Sequence, residues 1–102
     1  MISKNEAYQL TVNYYTWRNA ADTFIKLLDN DITVNAQNGI PSVKESLPQS
    51  PEFNEDALNM VLATLSSAGY TEVEVDKDKQ NISIYWGDIA LGALIDTRTM
   101  SV

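Results

Sequence analysis

The chain has 102 residues, 44% of them apolar and 21% charged, a net charge of -7, and neither cysteine nor histidine. That is the length and apolar share of one folded domain; it excludes disulfides, thiolate metal sites and cysteine nucleophiles, and removes the commonest general base and metal ligand. The charge is uneven, with five acids and four bases in residues 1–50 against nine and three in residues 51–102, and a field of that sign disfavours direct contact with nucleic acid or an anionic membrane.

The first element opens on Ser3-Lys4-Asn5-Glu6, a capping box in which the Ser3 hydroxyl meets a free amide near Glu6 and Glu6 reaches back. Apolar residues then recur at Ala7, Leu10, Tyr14, Trp17, Ala21, Phe24 and Leu28, in steps of three and four. This is one stripe of a helix held for three heptads. Ile32 and Ala36 continue it, Asn38-Gly39 fits a left-handed helix end, and Pro41 blocks continuation. A helix of about 35 residues would be roughly 50 Å long. A rival reading ends the helix at Asp29-Asn30-Asp31 and makes Ile32-Thr33-Val34 a strand, with Asn38-Gly39 as a hairpin turn. The longer helix is preferred.

Ser42 to Leu47 reads as a short strand. Ser50-Pro51-Glu52 predicts the start of a second helix, with Ser50 as N-cap, Pro51 at the first helical position and acids at 52, 55 and 56. Its apolar face is Phe53, Ala57, Val61, Leu65 and Ala68, and Gly69 ends it. Thr71 to Asp76 and Asn81 to Trp86 both alternate, with Val73, Val75, Ile82, Ile84 and Trp86 on the inward face, and predict a β-hairpin. In the tail, Asp88 caps a short helix through Ile89, Leu91, Leu94 and Ile95, and the segment brings six large apolar side chains that need cover. Its longest apolar run, Ile89 to Ile95, is too short to span a membrane, and Met1-Ile2-Ser3-Lys4 lacks the apolar core of an export signal.

The expected architecture is therefore α+β: a long N-terminal helix and a second helix packed on a small, mainly antiparallel sheet, in the order α-β-α-β-β plus a C-terminal tail. Residues 1–102 form a single domain, divided into the long helix (1–39), a strand-helix-hairpin unit (40–86) and the tail (87–102).

The layout resembles small phage-encoded α+β proteins of unassigned role. Those open a long helix with a Ser-Lys-x-Glu-like cap, end it at Asn-Gly, and introduce a hairpin with Gly-Tyr that Trp closes. Here the marks are Ser3-Lys4-Asn5-Glu6, Asn38-Gly39, Gly69-Tyr70 and Trp86. The match is one of pattern over residues 2–86, and the tail departs from it. The resemblance implies a phage or prophage setting, in the virion or host cytoplasm, and no activity.

Chemistry-bearing constellations are sparse. Asp76-Lys77-Asp78-Lys79-Gln80-Asn81 begins like a calcium loop, but Asn81 stands at the place that needs glycine and Gly87 at the place that needs a bidentate acid. The serines have no histidine to activate them, and there is no nucleophile elbow or glycine-rich phosphate loop. Asn81-Ile82-Ser83 matches a glycosylation acceptor that an unexported chain would not use. No catalytic residue, cofactor or metal site is expected.

The functional expectation rests on the first helix. A rod of roughly 50 Å overhangs a domain whose radius of gyration is about 13 Å, and apolar faces on an overhang need a partner. The chain is expected to be a non-catalytic, self-associating interaction module, a homo-oligomer or a partner of another phage or host protein, touching neither nucleic acid nor membrane. The contacts are assigned to Tyr14, Trp17, Phe24, Leu28, Leu91 and Leu94. The plain competitor is that the stripe folds against the second helix and the tail. A different class of function is an acidic inhibitor of a host protein, a possible DNA mimic, with Glu52, Glu55, Asp56, Glu72, Glu74, Asp76, Asp78 and Asp88 on one surface.

Overall fold

A computed structural model describes residues 1–87. The elements are α1 (Lys4–Gln37), β1 (Ser42–Ser46), α2 (Glu55–Ser67), β2 (Glu72–Asp76) and β3 (Asn81–Tyr85). This is the expected α+β order, with the helix reading of residues 30–37 correct and the strand reading wrong. The predicted tail helix from Asp88 to Ile95 lies outside the described residues.

Both helix ends follow from their sequence. The Ser3 hydroxyl accepts from the Glu6 amide at 3.1 Å and starts α1. At the other end Gly39, at φ 76°, lets its amide reach the Ala36 carbonyl (3.1 Å) and the Ile40 amide reach Asn35 (2.8 Å). That is a Schellman closure, which needs a residue in the left-handed region. α2 ends the same way, with Gly69 at φ 98° and the Tyr70 amide bonded to the Leu65 carbonyl at 3.1 Å.

The start of α2 corrects the sequence reading. The N-cap is Asn54, not Ser50: its side chain accepts from the Ala57 amide at 3.0 Å. Ser50 to Phe53 instead make a turn, closed by the Phe53 amide on the Ser50 carbonyl at 3.1 Å. The physical reason is Phe53. Held just outside the helix, its ring meets Phe24 edge-to-face at 5.4 Å.

The sheet order is β1-β3-β2, antiparallel throughout, so both β1 and β2 are edges. The register lines up Val43, Ile84 and Val73 in one row and Glu45, Ile82 and Val75 in another, and these rows face the helices. The outward rows are Ser42-Tyr85-Glu72, Lys44-Ser83-Glu74 and Ser46-Asn81-Asp76. The core between the layers joins Ala21, Phe24 and Leu28 of α1, Ala57, Leu58, Val61 and Leu65 of α2, and Val43, Leu47, Ile82 and Ile84 from the sheet side. Asn35 fastens α1 to β1 by donating to the Ser42 carbonyl at 2.8 Å.

The described chain measures 69 × 25 × 20 Å, with a radius of gyration of 18.0 Å. A compact domain of this length would have about 13 Å. The excess is the N-terminal part of α1, which projects beyond the sheet.

Candidate functional site: the projecting half of the first helix

The seven-residue stripe of α1 divides at Trp17. Ala21, Phe24 and Leu28 are buried, and Trp17 is half-buried against the same core. Every residue before Trp17 is exposed. Cover ends there because α2 begins there: Trp17 lines a shallow depression with Asn13, Thr16, Pro51, Glu52 and Asn54, the turn that precedes α2.

Phe24 and Leu28 are therefore corrected as partner contacts. Each is 2% exposed within its own chain, and α2 supplies the cover that a partner was expected to give. Tyr14 is 42% exposed and stays available, with Trp17 at the boundary. Leu91 and Leu94 lie outside the described residues. Sequence reasoning missed Tyr8, Val12 and Tyr15. These exposed residues form a second apolar line on the other side of the rod, and their own spacing of four and three was the signal for it.

The free section has an unusual chemistry for an exposed helix. Ala7 to Trp17 is an uncharged run of eleven residues, four of them aromatic, in a chain of net charge -7. Leu10 and Tyr8 are more than 60% exposed. Its polar groups are partly self-satisfied. The Thr11 hydroxyl donates to the Ala7 carbonyl at 2.9 Å and the Thr16 hydroxyl to Val12 at 2.7 Å. Tyr14 meets Tyr15 and Trp17 edge-on, at 5.2 and 5.1 Å, and its hydroxyl accepts from the Arg18 guanidinium at 2.8 Å. The two threonine hydroxyls therefore need no partner from outside, which lowers the desolvation penalty of burying them. Interface cores have this composition: poor in charge and rich in Tyr and Trp.

The acidic residues are distributed differently from the single line that mimicry of phosphates needs. Val73 and Val75 turn inward, so Glu72 and Glu74 point out from the far face of the sheet, while Glu55 and Asp56 stand on the helix layer. Lysines break the pattern: Lys77 pairs with Glu55 at 3.2 Å, and Lys44 shares an outward row with Glu74. Asp88 lies outside the described residues. One acid was overlooked. Glu45 shares the inward parity of Val43 and Leu47, and a hydrogen bond shared with Asp31 of α1 holds its carboxyl above the ordinary value, with partial burial and the like charge of Asp31 adding.

A depression of about 580 Å³ is an open trough on the outer sheet face flanked by Lys44, Glu74, Ser83 and Tyr85. Among the described residues no group of three or more Asp and Glu side chains is placed to hold a metal ion, and no helix is long and apolar enough to cross a membrane. No family model matches the chain, and neither a curated protein nor a solved structure matches it.

Proposed function

We propose that this chain is a non-catalytic interaction module that self-associates through the projecting part of α1, as a structural or assembly protein. The resemblance of its sequence pattern to small phage proteins sets the proposed context: a phage particle or the host cytoplasm during its assembly. One observation carries the reading. Among the described residues, three turns of uncharged, aromatic-rich helix stand clear of the rest of the domain. A free helix of 12–15 residues is marginal in water, and its stability comes from an apolar face being packed. A second copy supplies a matching face at no extra requirement, since a two-fold contact uses the same patch twice.

The test is the mass of the protein in solution, by sedimentation or light scattering. The wild type is expected as a dimer or larger, and Leu10→Glu as a monomer that still unfolds cooperatively in urea, because Leu10 lies outside the core. A wild type that stays monomeric at high concentration sinks the proposal.

A further inference from the structure

Resting on that self-association, we infer that two copies pair antiparallel along the seam Ala7, Leu10, Tyr14 and Trp17, placing Leu10 of each beside Tyr14 of the other and Ala7 of each beside Trp17 of the other. Three observations converge on this arrangement. The first is continuity. These four residues extend the line that Ala21, Phe24 and Leu28 bury against α2, so the second copy's helix takes over where α2 stops. The spacing of three, four and three is that of a helix-pairing seam.

The second is volume. In a parallel pair Trp17 faces Trp17, Tyr14 faces Tyr14, and Ala7 faces Ala7 across a gap. Reversing one helix puts the smallest side chain against the largest at both ends, which is how facing positions fill space evenly.

The third is charge. Residues 1–18 hold Lys4, Glu6 and Arg18, a net of +1, whereas residues 19–87 hold eleven acids and four bases, a net of -7. A parallel pair sets the two acidic heads side by side. An antiparallel pair sets them at opposite ends of the paired rods, about 20 Å apart along the axis at 1.5 Å per residue, beyond a Debye length of about 8 Å. It also sets Lys4 opposite residue 20 of the other copy, about one helical turn beyond Trp17, whose depression Glu52 shares.

The chain has no cysteine, so engineered thiols report the pairing cleanly. Leu10→Cys and Tyr14→Cys chains, both substituted at exposed positions, are mixed and oxidised, with the mass of the wild type measured in parallel. A disulfide needs Cα atoms within about 7 Å. The antiparallel seam predicts that the mixed Leu10→Cys/Tyr14→Cys species dominates over either homodimer. Homodimers alone mean a parallel pair, and a dimer by mass with no cross-link means another face. Either result overturns the seam while self-association stands. A monomeric wild type without cross-links overturns both.

Discussion

Glu45 is the residue whose environment departs furthest from its expected one. Its strand parity turns it inward with Val43 and Leu47, where it meets Asp31. The folded carboxyl takes its proton at a higher pH than the unfolded one, whose value is near 4.5. The folded state therefore gains from protonation: that stability is complete below the unfolded value and is lost as pH rises through the folded one. At neutral pH two carboxylates are held together at a cost. Glu45→Gln is expected to raise the urea midpoint at pH 7, and the gain should shrink as the pH falls to about 4, where the wild-type carboxyl carries its own proton. A gain of equal size at both pH values would show that Asp31 is not the cause. Ser42 to Leu47 reads as a strand with no face assigned, although Glu45 shares the parity of the apolar Val43 and Leu47. The partner was not legible, because Asp31 reaches it only once α1 is known to continue past residue 30.

Among the elements, α1 combines two kinds of helix on one stripe. Phe24 is enclosed and stacked edge-on against Phe53. Phe24→Ala should cost about 3–5 kcal/mol, the usual range for emptying an aromatic site in a core. Leu10→Ala, seven helical positions after the cap and on the same stripe, should stay within about 0.5 kcal/mol in dilute solution, since no described residue covers it. Urea unfolding below the association range checks both, and similar losses at the two sites would mean that the rod packs within its own chain. Periodicity made the whole stripe legible but gave no sign of where its cover changes hands. That boundary is set by the length of the Pro48–Asn54 connection and by Asn54 as the cap. Asn is as good a cap as Ser, and Glu55 and Asp56 behind it were the clue that α2 starts later than Ser50. The hairpin was read almost residue for residue, because β2 and β3 each bury one face and alternation then fixes the register.

On the scale of the whole molecule, an apolar, nearly neutral rod is joined to a strongly acidic head. On the proposed reading, association through the rod works against repulsion between heads. A tenfold rise in ionic strength from about 0.05 M cuts the Debye length to about a third, so the associated fraction should rise with salt in sedimentation experiments. An inhibitor that bound a basic partner through its acids would respond in the opposite sense, and dissociation of the protein's own oligomer by salt would contradict packing through the rod.

One property of α1 bears on anything built from this protein. The helix is unbroken from Lys4 to Gln37, with no proline and no glycine inside it, so there is no joint where the arm leaves the body. Each further heptad would move an attached body by about 10 Å and return it to nearly the same bearing, as the pitch of the helix requires. A jointed arm could search for its target; this one behaves as a gauge, fixing interval and orientation together by the count of its residues.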